Sequence, residues 1–136
     1  MNKKINRVIL IDDSESDNFI HKKLLEESGS TTEIVIMTTA AAALDYLVNN
    51  QENHTYPGMI LLDVNMPRMD GWDFIKEYTK LPDETQTAYV LNIFTSSSKL
   101  SDMDKASKTQ IKSYVKKPLS ISKIENLMKL HFPECL

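Results

Sequence analysis

The sequence predicts an α/β protein in which five β-α units form a doubly wound, five-stranded parallel sheet with helices on both faces. Short apolar runs alternate along the chain with longer segments that repeat apolar residues at helical spacing. The runs are rich in β-branched residues, as expected of strands that are buried on both faces. Strands that alternate with helices favour parallel pairing through right-handed crossovers.

Each predicted strand is a short apolar run bounded by polar residues. The fourth run is interrupted by Asn92, a polar side chain that costs about 1–3 kcal/mol if it is buried without partners. The predicted strands are residues 8–11, 34–37, 59–62, 89–94 and 114–115.

The segments between the strands carry apolar residues at helical spacing. The first is expected to end at Gly29, a residue that favours the left-handed conformation of a helix C-terminus. In the last, Ser122 and Glu125 have the spacing of a capping box. The polar stretch 82–88 is predicted to be a loop. The predicted helices are residues 17–28, 39–50, 71–81, 98–107 and a last helix that begins near Ser120.

Length and composition predict one domain over residues 1–136, with a core of about 7–131 and no output domain. The net charge of -3 gives no electrostatic reason to expect a nucleic-acid partner. No apolar run approaches the roughly 20 residues that span a bilayer. The apolar run after the basic start, residues 8–11, is also too short for a signal-peptide core. We therefore expect a cytoplasmic protein that does not contact a membrane.

The cysteine and histidine residues give no indication of a metal site or a disulfide. Cys135 is the only cysteine, so it cannot form an internal disulfide, and its place near the C-terminus predicts a thiol in a frayed tail. His21, His54 and His131 are widely separated in the sequence. They are expected to occupy surface or edge positions.

Acidic residues follow two of the predicted strands directly. Asp12 and Asp13 come after the first strand, and Asp63 comes after the third. Because the carboxyl ends of parallel strands meet at one edge of the sheet, these carboxylates are expected to lie close together. Close carboxylates repel one another and need a cation, and an all-oxygen ligand set favours Mg²⁺. Each acidic residue taken alone would more often be a helix cap or a turn residue.

A hydroxyl and an amine follow the fourth and fifth predicted strands. Thr95 comes directly after the fourth strand, and Lys117 comes shortly after the fifth. An Asp carboxylate can act as a nucleophile toward a phosphoryl group. A nearby lysine and hydroxyl would then stabilise the oxygens of the transferred group.

Four spaced motifs resemble the receiver domain of two-component response regulators. They are VILIDD at 8–13, LLDVNMP at 61–67 with DG at 70–71, FTS at 94–96 and YVKKP at 114–118. The resemblance covers about residues 7–131 and is nearest to the single-domain, chemotaxis-regulator-like type. It implies the flavodoxin-like receiver fold.

The resemblance also implies roles in phosphorylation for the residues at the sheet edge. Asp63 matches the aspartate that accepts the phosphoryl group. Asp13 matches the direct Mg²⁺ ligand, and Asp12 matches its acidic neighbour, which often acts through water. Asn65 matches the position whose backbone carbonyl binds the metal.

Further positions match the switch elements of the family. Thr95 matches the hydroxyl that moves toward the phosphoryl group, and Lys117 matches the lysine that pairs with it. Tyr114 matches the aromatic residue that turns inward on activation, and Pro118 matches a proline that usually follows a cis peptide bond. The stretch 109–113 departs from the small residues that often precede the aromatic switch.

The implied partners are a histidine kinase or histidine phosphotransfer protein as donor, and a downstream protein that is not identified by the sequence. The protein would be a monomer or a phosphorylation-dependent dimer, and it would not be an enzyme beyond its self-catalysed phosphotransfer and dephosphorylation. A phosphorelay intermediate remains an alternative. A Mg²⁺-dependent phosphohydrolase is disfavoured because Asn65 stands where such enzymes usually have a second acid. A flavodoxin-like nucleotide binder would need a phosphate-binding loop in place of Asp12 and Asp13.

Overall fold

The sheet has the predicted architecture. The computed structural model describes residues 4–49, 53–96, 103–105 and 111–135. Its five strands are β1 (Arg7–Ile11), β2 (Ile34–Met37), β3 (Gly58–Leu62), β4 (Tyr89–Thr95) and β5 (Ser113–Lys116). They are ordered β2-β1-β3-β4-β5, and every neighbouring pair is parallel. This confirms the α/β fold class.

Four of the five α-helices lie where the predicted alternation with the strands places them, and the short α4 is additional. They are α1 (Glu15–Ser28), α2 (Ala40–Asn49), α3 (Gly71–Tyr78), α4 (Asp83–Thr87) and α5 (Ile121–His131), and a 3₁₀ helix covers Pro133–Cys135. Most of the helix predicted over 98–107 lies outside the described residues, although 103–105 are helical. Within the described ranges, no helix is both long and apolar enough to cross a bilayer.

The sheet separates two apolar layers. Successive residues of β1 point to opposite faces, because side chains alternate along a strand. Ile9 and Ile11 belong to the layer that holds the apolar residues of α2 and α3, such as Phe74. Val8 and Leu10 belong to the layer that holds the apolar residues of α1 and α5. Burial on both faces explains why residues 8–11 of β1 and 59–62 of β3 are all apolar.

The structure corrects two predictions about helix boundaries. The stretch 82–88 is not a loop, because it contains α4. The Tyr78 hydroxyl donates to the Gln86 carbonyl at 3.1 Å, and the Gln86 side chain donates to the Leu81 carbonyl at 2.8 Å. The N-terminus of α5 is capped by Ser120, whose hydroxyl accepts from the Lys123 amide at 3.1 Å. The capping box proposed from Ser122 is therefore wrong.

The expectation of surface or edge positions is wrong for His21 and His54, and the expectation of a thiol in a frayed tail is wrong for Cys135. His21 and His54 are buried on the two sides of the sheet, and Cys135 is buried at 3% exposure. The imidazole of His54 lies 2.7 Å from the Tyr89 hydroxyl and 3.1 Å from the Leu47 carbonyl. The buried position of His54 thus depends in part on Tyr89, a partner that is distant in the sequence.

Asn92 is fully buried in β4. Its amide nitrogen donates to the carbonyls of Val90 at 3.2 Å and Ile60 at 3.4 Å. Its Oδ1 has no hydrogen-bond partner among the described residues. The polar interruption that the sequence shows in the fourth strand is thus an under-satisfied amide in the core.

Candidate functional site

Four strands bring the predicted site residues to the carboxyl edge of the sheet. Backbone hydrogen bonds that continue the strand ladders fix two of them in place. The Asp63 amide donates to the Ile11 carbonyl at 2.9 Å, and the Lys117 amide donates to the Thr95 carbonyl at 2.9 Å. The chain therefore positions Asp63 beside the end of β1 and Lys117 beside the end of β4.

Three carboxylates form a cluster at this edge. Asp12, Asp13 and Asp63 each offer an oxygen, and these oxygens all lie within 4.8 Å of one another. Asp12 is 3% exposed and Asp63 is 6% exposed, whereas Asp13 faces the solvent. Buried like charges at this separation repel one another strongly and need a balancing positive charge.

The buried carboxylate of Asp63 lies between a backbone amide and a lysine. Its Oδ1 accepts from the Asn65 amide at 3.1 Å, and its Oδ2 lies 3.5 Å from Lys117 Nζ. Burial raises the pKa of the Asp63 carboxyl above its ordinary value, and the charge of Asp12 adds to the rise. The Asn65 amide and Lys117 oppose it without cancelling it. A cation bound beside Asp63 would stabilise the charged carboxylate, which burial and the charge of Asp12 disfavour.

Lys117 is surrounded by acidic side chains. Its ammonium hydrogen-bonds to Asp12 and lies 3.0 Å from Asp17 Oδ2. Burial by itself lowers the pKa of Lys117, but the bonds to Asp12 and Asp17 and the charge of Asp63 outweigh it and raise the pKa. The ammonium also lies 5.7 Å from the centroid of the Phe94 ring, within cation–π range. Lys117 is thus held charged inside the site.

The loop that carries Asp12 is fixed by local hydrogen bonds. Asp12 Oδ1 accepts from the Ser14 amide at 3.0 Å, and the Asn18 side chain donates to the Asp12 carbonyl at 2.8 Å. Ser14 in turn caps α1 by accepting from the Asp17 amide at 3.3 Å. Sequence reasoning missed Asn18 and Asp17. The signal that could have found them is their position in the first turn of the helix that follows Asp12.

The predicted switch residues occupy the two strands next to the site. Thr95 is fully buried, and its hydroxyl accepts from the side-chain amide of Asn65 at 3.3 Å. Tyr114 pairs with Ile93 in the β4–β5 ladder and is half-buried against the apolar layer of α2 and α3. The peptide bond between Lys117 and Pro118 is cis, as is the one between Tyr56 and Pro57.

Gly71 allows α3 to begin close to the loop after Asp63. Its amide donates to the Val64 carbonyl at 3.2 Å. A Cβ at this position would lie 2.6 Å from the Val64 Cα and 2.8 Å from the Asp63 carbonyl oxygen. Asp70 and Asp73 complete the start of α3 with a reciprocal capping box. The glycine in the Asp-Gly pair of the sequence is therefore required by a backbone approach.

The donor set fits a hard divalent cation. The clustered ligand atoms are carboxylate oxygens, which Mg²⁺ prefers over nitrogen or sulfur ligands. The three carboxylates of the cluster outnumber the one ammonium, that of Lys117, which forms ion pairs with two of them among the described residues. The role of the Asn65 carbonyl as a further ligand stays a prediction.

Comparisons with known proteins agree on one family. The model of the response regulator receiver domain matches residues 8–129. A two-component response regulator from Cytophaga hutchinsonii has a crystal structure with a TM-score of 0.84 and 28% identity, covering 93% of this chain and 96% of that one. A response regulator receiver protein from Dyadobacter fermentans has a TM-score of 0.82 and 32% identity, covering 90% and 94%.

A curated relative aligns over a similar length. The probable methanogenesis regulatory protein FilR2 of Methanothrix harundinacea is 26% identical over 123 residues. The alignment includes 90% of this chain and 78% of that protein. The likeness thus extends over both apolar layers and the carboxyl edge of the sheet.

Proposed function

The chain belongs to the response regulator receiver domain family, and on that premise we propose that Asp63 accepts a phosphoryl group from a phosphohistidine in a Mg²⁺-dependent reaction. The observation that carries this proposal is the cluster itself. Asp63 is buried, shares the cluster with Asp12 and Asp13, and faces the ammonium of Lys117 at 3.5 Å. These residues provide a nucleophile, a place for a cation and a fixed positive charge.

The proposed metal ligands are the carboxylates of Asp12, Asp13 and Asp63 and the backbone carbonyl of Asn65. A bound Mg²⁺ supplies positive charge that neutralises the oxygens of the transferring phosphoryl group. The exposure of Asp13 leaves the cluster open to solvent on one side, which suits an ion that keeps several waters.

In the proposed transfer, a carboxylate oxygen of Asp63 forms a bond to phosphorus as the bond between phosphorus and the donor imidazole nitrogen breaks. The electron pair of the broken bond stays on the imidazole, which then takes up a proton. Lys117 stabilises the negative charge on the phosphoryl oxygens. Water later attacks the acyl phosphate, which restores the Asp63 carboxylate and releases inorganic phosphate.

Phosphorylation would bias a local switch. The attached phosphoryl group carries about -1.5 to -2 charge units and replaces the single negative charge of the Asp63 carboxylate. The Thr95 hydroxyl accepts from the Asn65 side-chain amide and hydrogen-bonds to the Asp63 carboxyl, so it would donate to a phosphoryl group attached there. Movement of Thr95 in β4 would change the space next to Tyr114, which lies on the neighbouring strand. The output is then a changed protein-binding surface, used by a downstream protein or by a second copy of the chain.

The test is phosphoryl incorporation from acetyl phosphate or a phosphohistidine protein with Mg²⁺. We expect incorporation in the wild-type protein, none in Asp63→Asn, and loss on removal of Mg²⁺ with a chelator. Asp45→Asn removes an exposed carboxylate on α2 and is the matched control, expected to behave as wild type. Unchanged incorporation in Asp63→Asn would refute the proposal. Continuous release of phosphate from a simple phosphomonoester would favour a phosphohydrolase instead.

A further inference from the structure

Lys117 has three acidic neighbours, and the proposed phosphoryl acceptor is the most distant of them. The ammonium hydrogen-bonds to Asp12, lies 3.0 Å from Asp17 Oδ2 and lies 3.5 Å from Asp63 Oδ2. A charge-assisted hydrogen bond usually spans about 2.7–2.9 Å, so the contact with Asp63 is longer than a hydrogen bond of this kind. The lysine is therefore drawn toward Asp12 and Asp17 and away from Asp63.

Asp17 is outside the group of carboxylates that could hold a metal. Only Asp12, Asp13 and Asp63 bring oxygens together among the described acidic residues. Asp17 lies in the first turn of α1, where the helix dipole favours a negative charge. Its side chain is 41% exposed and its ionic partner is Lys117. Its carboxylate thus remains available to Lys117 when the other carboxylates bind a cation.

We propose that Asp17 is a positioning residue that competes with the incoming phosphoryl group for Lys117 and so slows the phosphorylation of Asp63. The inference rests on the proposed function. A phosphoryl group that enters the site must draw the ammonium away from Asp17. The carboxylate of Asp17 also repels the negative oxygens of that group. Both effects slow phosphorylation. When Asp17 is removed, the ion pair with Asp12 keeps Lys117 in the site.

The competition predicts a specific kinetic pattern. Asp17 stabilises the lysine in the resting protein, before any phosphoryl group is present. Its removal favours the transition state of phosphorylation over the resting state, which raises the phosphorylation rate. The phosphoprotein and the transition state for its hydrolysis both use the lysine, so their energy difference changes little. A general disturbance of the site would instead alter both rates.

The test compares Asp17→Asn with Glu15→Gln at saturating Mg²⁺. Glu15 is also in the first turn of α1. Among the ion pairs of the described residues, none joins Glu15 to Lys117. We expect Asp17→Asn to raise the rate constant for phosphorylation by acetyl phosphate about 2- to 5-fold, as for a partly exposed ion pair. Autodephosphorylation should change by less than about twofold. Glu15→Gln should leave both rates near wild type.

Binding of beryllofluoride, a stable mimic of the phosphoryl group, gives a readout without turnover. Its affinity should rise in Asp17→Asn by a factor similar to the phosphorylation rate. An unchanged or lower phosphorylation rate in Asp17→Asn, or a parallel change in autodephosphorylation, would overturn the inference while leaving the proposed function intact. A wild-type protein that incorporates no phosphoryl group would overturn both.

Discussion

Replacing Gly71 with alanine should disturb the phosphorylation site through the backbone. The new Cβ would lie 2.6 Å from the Val64 Cα and 2.8 Å from the Asp63 carbonyl oxygen, neither of which can rotate away. Restoring the 3.4 Å of ordinary van der Waals contact requires about 0.8 Å of movement. Overpacking of this kind lowers the free energy of unfolding by about 1–3 kcal/mol. The higher helix propensity of alanine offsets up to about 1 kcal/mol of this loss.

The same movement should slow phosphorylation. Misplacement of a reacting group by about 1 Å can cost on the order of 100-fold in rate, so we expect at least about a 10-fold decrease in Gly71→Ala. The measurements are urea unfolding for stability and phosphoryl incorporation from acetyl phosphate for the rate.

Gly29→Ala is the matched control for this prediction. Gly29 has a φ of 65°, and no described atom lies within 4 Å of a Cβ placed there. Alanine should cost about 1–2 kcal/mol of conformational strain at this position. It should leave phosphorylation unchanged, because Gly29 ends α1 far along the chain from the site. If Gly71→Ala is phosphorylated as fast as Gly29→Ala, the close approach at Gly71 does not control the position of Asp63.

Two further predictions concern polar groups in the core. Asn92→Leu should raise the free energy of unfolding by about 1 kcal/mol, because it removes a buried oxygen without a described partner. A lower free energy of unfolding than in the wild type, measured by urea unfolding, would contradict this. Burial lowers the pKa of His54 below its ordinary 6.5, and the nearby Arg7 adds to the effect, so the unfolded chain binds a proton first as the pH falls. The free energy of unfolding should decrease between about pH 7 and pH 5, by at most about 1.4 kcal/mol per pH unit for this proton. His54→Gln should make the free energy of unfolding less dependent on pH in this range. The same pH dependence in the variant and the wild type would show that His54 is not the group responsible.

The sheet could be predicted from the sequence because its central strands β1, β3 and β4 are almost fully buried and appear as continuous apolar runs. The edge strand β2 is only partly buried, but its four residues are also apolar, and the run at 34–37 coincides with it. The other runs fall short of the observed strands by one residue at one end, or by one residue at each end for β5. The residues that the runs omit also pair in the ladders; they are Arg7, Gly58, Thr95, Ser113 and Lys116. Polar residues at strand ends carry no apolar signal, although their backbones pair normally.

The short helix α4 could not be predicted from periodicity. Its five residues include one buried side chain, that of Thr85, so no apolar stripe exists. The hydrogen bonds that involve Gln86 depend on the end of α3, which lies in a separate predicted element. The burial of His54 has a similar cause, because its partners Leu47 and Tyr89 come from two other elements.

The carboxyl edge was predictable because parallel strands end together. That rule brought Asp12, Asp63, Thr95 and Lys117 into one group before any geometry was known. It does not identify residues that enter the site from a helix. Asp17 reaches Lys117 from the first turn of α1, and its side-chain direction depends on the cap formed by Ser14.

The phosphoryl group is expected to be attached to Asp63. Borohydride reduces an aspartyl phosphate to homoserine, so treatment of the phosphorylated protein with borohydride, followed by peptide mass spectrometry, locates the phosphorylated residue. We expect homoserine at position 63 and at no other position, and none in a sample prepared without Mg²⁺. Homoserine at a different aspartate, or a phosphoryl group found on His21, His54 or His131, would contradict it.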